Sequence, residues 1–127
     1  MDRGILFEAG ERTAYLVYNA AAMFALQDAG IQNADVMDET AEGFAKLCTA
    51  AEVLSEQGAA VRAYMHLTPA GDKLDALELR LQLGGIGATR LRKAVAEAII
   101  AGIKSDEEET KPRTRDLILE KLTKKKD

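Results

Sequence analysis

Apolar residues recur along one stretch of this chain at steps of three, four or seven. Between Asp38 and Leu67 they are Phe44, Leu47, Cys48, Ala51, Leu54, Val61 and Met65. That spacing lines one face of a helix and turns Glu42, Lys46, Glu52, Glu56 and Arg62 elsewhere on the wheel. Asp38 is placed to cap the first turn, and Glu39 complements the positive end of the helix dipole. Gly58 interrupts the run, which predicts either a weakened midpoint or two consecutive helices. A helix of this kind persists only when its apolar face finds partners.

The flanking segments supply them. Ile5–Glu8 and Thr13–Tyr18 are rich in β-branched, aromatic and leucine residues, and Ala9-Gly10-Glu11 between them offers a turn glycine, so residues 4–18 predict a β-hairpin. A lone hairpin is marginal in water and must pack on the helices or pair with another chain. Asn19 opens a predicted helix over 20–29 with Ala22, Met23, Leu26 and Ala29 as its stripe, a Tyr18–Met23 staple and Gly30 at its close. Ile31–Met37 connects to the central helix, and Thr68-Pro69-Ala70-Gly71 marks the turn after it.

Asp72–Leu83 is ambiguous. Leu77, Leu79, Leu81 and Leu83 alternate as in a strand, yet Leu74, Leu77 and Leu81 also fit a helix, and the residue types favour helix. Ala88–Ala101 follows as an amphipathic helix with Leu91, Val95, Ala98 and Ile99 inside, Arg90, Arg92, Lys93 and Glu97 in water, and Gly102 past its end. From Lys104 the composition changes. Ser105-Asp106-Glu107-Glu108-Glu109 is an acidic run, stopped by Lys111-Pro112, that reads as a solvated linker. Thr114–Lys126 forms a last short helix with a patch of Ile118, Leu119 and Leu122, which either docks on the body or awaits a partner. The expected architecture is mainly α: a bundle of four to five helices with an N-terminal β-hairpin and a mobile C-terminal helical tail. The division falls into a helical domain at 1–104 and a charged linker with short helix at 105–127.

Composition narrows the class. At 127 residues the chain suits one core, and its apolar set is mostly Ala and Leu with no Trp, a helical bias. A net charge of −4 argues against a general nucleic-acid binder. No basic leader precedes an apolar run and no apolar segment approaches twenty residues, so the expectation is a cytoplasmic protein with no membrane partner.

Candidate chemistry is sparse. Gly85-Ile86-Gly87 before a helix superficially mimics a dinucleotide-binding turn, with Asp106 about twenty residues on, but the third glycine position holds Arg90. The plainer reading is a turn between helices. His66 is the only histidine and Cys48 the only cysteine, so no pair of either can hold a metal. His66 sits at a helix end; Cys48 lies on the apolar stripe and reads as an inert core residue. Catalytic, cofactor-binding and metal residues are therefore expected to be none, and binding is the function left. The contact regions expected are the hairpin edge, with Leu6 and Leu16, and the tail, with Leu117, Ile118, Leu119 and Leu122. Arg80, Arg90, Arg92 and Lys93 support an alternative, a small helical nucleic-acid-associated regulator.

Several short segments share a pattern with one family: the Gly4–Glu8 strand, Tyr15-Leu16-Val17-Tyr18-Asn19 and Ala22-Met23. Gly58-Ala59-Ala60-Val61-Arg62 with Tyr64-Met65 continues it, then Leu91, Ala94-Val95 and Ala98-Ile99 leading to Gly102. The acidic run before Asp116-Leu117 and Leu119-Glu120-Lys121-Leu122 completes it. Over nearly its whole length the chain resembles the tail assembly chaperones of long-tailed bacteriophages, particularly those of Gram-positive hosts. The resemblance implies a non-catalytic protein of the host cytoplasm, absent from the mature virion. It would coat the tape measure protein and give way to tail tube protein, with self-association open and a longer frameshifted product made from many such genes. Weak, multiple contacts suit a client that must later be released.

Overall fold

The computed structural model describes residues 4–109. Two strands, β1 (Ile5–Ala9) and β2 (Arg12–Leu16), pair antiparallel around Gly10-Glu11 in the register Ile5↔Leu16, Phe7↔Ala14 and Ala9↔Arg12. The two-residue alternation turns Phe7, Ala14 and Leu16 into the core and leaves Leu6 and Glu8 on the outer face. Four helices follow: α1 (Ala20–Asp28), α2 (Ala41–Tyr64), α3 (Ala76–Gln82) and α4 (Gly85–Glu109). A 3₁₀ turn at Asn33–Met37 seats Val36 in the core between α1 and α2 in the sequence. The fold is mainly α with an N-terminal hairpin, as the periodicities predict.

The central amphipathic stretch is the hub: β2, α1, α3, α4 and the 3₁₀ turn all pack on α2. Leu47, Cys48, Ala50, Ala51, Leu54, Ser55 and Gly58 form its buried stripe, whereas Phe44, Val61 and Met65 are only half-buried. Its cap is Thr40 rather than Asp38: the Thr40 hydroxyl accepts from Gly43 N–H at 3.1 Å, while Asp38 accepts from Thr40 N–H at 3.0 Å. Those hydrogen bonds from Thr40 hold the Asp38 carboxyl below its ordinary range. At the far end His66 takes a left-handed backbone (φ 58°), and Leu67 N–H closes back on the Arg62 carbonyl at 2.8 Å.

Gly58 does not divide this helix. It is where strand and helix backbones meet, since a Cβ there would overlap the Tyr15 carbonyl oxygen. Nearby, Val17 N–H donates to the Leu54 carbonyl of α2 at 3.1 Å. The outer edge of β2 is closed by a distant segment. Asp72 N–H donates to Thr13 O at 2.7 Å, and Thr13 N–H donates to an Asp72 carboxylate oxygen at 2.9 Å. The same segment is held to α2 by Ser55, whose buried hydroxyl donates to Glu52 O and accepts from Leu74 N–H, both at 2.8 Å. The Arg62 guanidinium stacks 3.7 Å from the Tyr15 ring centroid and donates to Pro69 O at 2.9 Å.

Three expectations change in the second half. Residues 72–75 are extended, and the helix begins only at Ala76, capped by Asp75, which accepts from Glu78 N–H at 2.9 Å. Leu79 is its one buried leucine, with Leu74 buried in the extended segment before it, while Leu77 and Leu81 are 59% and 77% exposed. Helix α4 begins at Gly85 and runs through Gly102 and the acidic residues to Glu109, so the expected linker start is helical. Gly102 is a packing glycine rather than a stop, and Lys and Glu are good helix formers in water. Arg92, expected in solvent, is half-buried: it donates to Val36 O at 3.2 Å and lies 3.9 Å from a Glu39 carboxylate.

Alanine is worth about 1 kcal/mol more than glycine inside a free helix, so Gly58→Ala would ordinarily stabilise. Here it is expected to destabilise by about 1–3 kcal/mol through forced overpacking against Tyr15. The readout is a lowered urea midpoint at unchanged slope. A midpoint that stays or rises would refute the strand–helix contact.

Candidate functional site

Residues Val17 to Ala20 leave the hairpin and enter α1, and a groove forms around them. Asn19 ends the extended segment: its side-chain oxygen accepts from Ala22 N–H at 3.0 Å and caps α1. Its amide nitrogen donates to Gln57 on α2 at 3.2 Å, which fixes the direction in which α1 departs. On the other side α4 crosses close to Tyr18 because position 102 is glycine. A Cβ there would overlap the Tyr18 carbonyl oxygen. The helices α1 and α4 nevertheless come nowhere within 8 Å of each other, Cα to Cα.

The gap between them is the groove. Val17 and Tyr18 form its floor, Ala20 and Met23 one wall, Gly102 and Ile103 the other, with Val61 of α2 behind. Its volume is about 660 Å³ and its lining is predominantly apolar. Ser105, Asp106 and Glu107 make an acidic rim at the C-terminal end of α4. Ile103 is 39% exposed, and Phe24 and Ile100 are exposed elsewhere on the two helices. An apolar trough between two helices, with Asn19 among its lining and acidic groups on its rim, can hold an amphipathic helix by its side chains.

A second groove of about 460 Å³ lies between the open edge of β1 and α4. Ile5, Leu6, Phe7 and Glu8 face Arg90, Lys93, Ala94 and Glu97 across it. The Arg90 guanidinium lies 6.0 Å from the Phe7 ring centroid. Charges of both signs therefore line this groove in equal number, which gives it no preference for an anionic partner.

Of the expected contact residues, Leu6 is half exposed in this second groove, whereas Leu16 is fully buried. Leu16 lies on the inward side of the alternation, opposite Ile5, so it belongs to the core and not to a contact surface. Leu117, Ile118, Leu119 and Leu122 lie outside the described residues, as does the predicted helix Thr114–Lys126. The four basic residues of the regulator reading are not gathered into one patch. Arg90 and Lys93 share the β1–α4 groove, Arg92 is committed to Val36 and Glu39, and Arg80 is on α3. Gly84 lies in the α3–α4 turn and Gly85–Gly87 open α4, so this glycine run follows a helix rather than a strand.

Sequence reasoning missed the α1–α4 groove altogether. Its signal was Gly102 directly after an amphipathic stripe, which reads equally as a helix stop. Among the described residues no three His, Cys, Asp or Glu side chains gather as a metal site. No helix among them is long and apolar enough to cross a membrane. Comparison with family models, curated proteins and solved structures finds no match.

Cys48 is fully buried, and burial pushes its thiol up to about 11, against a smaller downward pull from Arg80. At pH 8 in the native protein it should react with a disulfide reagent on the order of a hundredfold slower than a free cysteine. The difference should vanish in urea. Native reaction at the free-thiol rate would contradict its burial.

Proposed function

We propose that this chain is a non-catalytic assembly chaperone of the long-tailed phage type, acting in the host cytoplasm on a tape measure protein. The observation that carries this reading is the apolar groove between α1 and α4, together with the sequence pattern shared with that chaperone family. A tape measure protein is long and helical, and a trough bounded by Tyr18, Met23 and Ile103 accepts one apolar helix face at a time. Many modest contacts along such a client hold it collectively and still release it when tail tube subunits arrive. The work asked of the chain is shielding of apolar surface, which needs area and reversibility and no reactive group.

Co-expression with the tape measure protein of the same genome tests this. The client should co-purify and stay soluble with the intact chain. Met23→Glu and Ile103→Glu, each at a half-buried or exposed groove position, should reduce capture at least tenfold without unfolding the protein, because a carboxylate in the trough is desolvated by an apolar helix. Equal capture by the wild type and both variants would remove the groove from the mechanism. No capture by the intact chain would remove the chaperone reading.

A further inference from the structure

The hairpin has two outer edges, and the described residues close only one of them. In an antiparallel pair, residues opposite each other either exchange both main-chain bonds or turn both away. Thr13 donates its N–H to Asp72 and accepts from Asp72 at its carbonyl, so Thr13 and its partner Glu8 are a turned-away pair. Leu6 with Tyr15, two positions on, is the next such pair. The N–H and C=O groups of Leu6 and Glu8 therefore point out from β1, and no hydrogen bond among the described residues takes them up. They repeat at about 6.8 Å, the two-residue step of a strand. Another extended backbone matches that repeat, whereas a helix spends its N–H and C=O groups internally.

The ledge beside this edge says which extended backbone fits. Arg90 lies by Phe7, whereas Gly102 crosses at Tyr18, just past the end of β2 that pairs with Ile5. Helix α4 thus runs opposite to β1, with Arg90 toward the hairpin turn and Glu97 toward Ile5. Ala94 is buried between them. Glu8, Arg90, Lys93 and Glu97 are all exposed, and none of them is in an ion pair among the described residues. The groove is neutral in sum, yet its charges are ordered along its length. A guest whose own charges run in the complementary order satisfies all four.

We propose that the β1–α4 groove receives an extended segment of a partner protein as a third strand, antiparallel to β1, with side chains in the order acidic, basic, apolar, apolar, basic. Antiparallel pairing is the more stable kind and sets the direction. The guest's second and fourth residues exchange main-chain bonds with Glu8 and Leu6. Their side chains lie on the outer face, a cation beside Glu8 and an apolar group beside Leu6, which is 51% exposed. The first, third and fifth turn inward over α4. There a carboxylate meets Arg90 and Lys93, an apolar group covers Ala94, and a cation meets Glu97. First to fifth residue spans about 13.6 Å in a strand, and Arg90 to Glu97 about 10.5 Å along a helix, a mismatch that long side chains absorb. A third strand also brings the ribbon to the size at which sheets become stable. This site is separate from the α1–α4 groove and stands or falls without it.

The probe is the capped peptide acetyl-Asp-Lys-Val-Leu-Lys-amide, added to the isotope-labelled full-length chain and followed by NMR. In the free chain the amides of Leu6 and Glu8 should exchange with water at least tenfold faster than those of Phe7 and Ala9, which bond to β2. At saturating peptide their exchange should slow at least tenfold. Resonances of Arg90 and Ala94 should shift, and those of Met23 and Ile103 should stay. A peptide of the same composition with its ends exchanged, acetyl-Lys-Lys-Val-Leu-Asp-amide, should bind at least tenfold more weakly. Arg90→Glu with Glu97→Arg should reverse that preference, and the same spectra show that the variant is folded.

Unchanged exchange of Leu6 and Glu8 at millimolar peptide overturns the proposal. So does equal or tighter binding of the end-exchanged peptide, or a set of shifts that maps to Met23 and Ile103. Slow exchange of both amides in the free chain also overturns it. If that slowing grows with protein concentration, a second copy holds the edge; if it does not, the chain's own residues do.

Discussion

Val17 donates its N–H to the carbonyl of Leu54, in the middle of α2, at 3.1 Å, and the carbonyl of Tyr15 lies flush against Gly58 one turn further on. Helix and strand meet here through their main chains, with no side chain between them. That approach sets the height at which the hairpin sits, and therefore where Phe7, Ala14 and Leu16 enter the core. It also fixes the line along which the chain leaves β2. From there Asn19 can reach Gln57 and start α1 in one direction while α4 crosses at Tyr18 in another. The groove is thus a by-product of backbone packing. Two helices are held apart because an extended segment passes between them.

Much of this was legible in the residues. Asn19 as a cap, the bounds of α1, the hairpin around Gly10 and the α2 stripe all follow from local spacing, because each depends on neighbours within a few positions. The errors share one cause. Gly58 and Gly102 read locally as weak points or stops, and only a partner remote in sequence reveals them as contact points. Leu77 and Leu81 satisfy a helical stripe, yet α3 is short and only Leu79 of its leucines is buried within it. Leu16 was rightly placed in the hairpin, but its use was misread, since it faces the core. The burial of Arg92 likewise depends on Val36, 56 positions away.

The candidate site was the least legible part, and its physics explains why. A reactive centre announces itself through rare residue types at fixed spacings. An apolar trough is made of Val, Tyr, Ala, Met, Ile and Gly, which occur throughout any core. What distinguishes these residues is that, among the described residues, α1 and α4 do not meet over them.

The Thr13–Asp72 pair bears on the order of events during synthesis. The two residues are 59 positions apart, and joining them costs about 3.6 kcal/mol of loop-closure entropy from the length-dependent part alone. Until the ribosome has delivered residue 72, the nascent β2 has no neighbour on its outer side, and an isolated two-stranded ribbon is marginal. The helices have local contacts and can form early, but the hairpin must wait. Assembly of this small protein is therefore paced by its shortest elements, and the hairpin, translated before the helices, is among the last parts to settle.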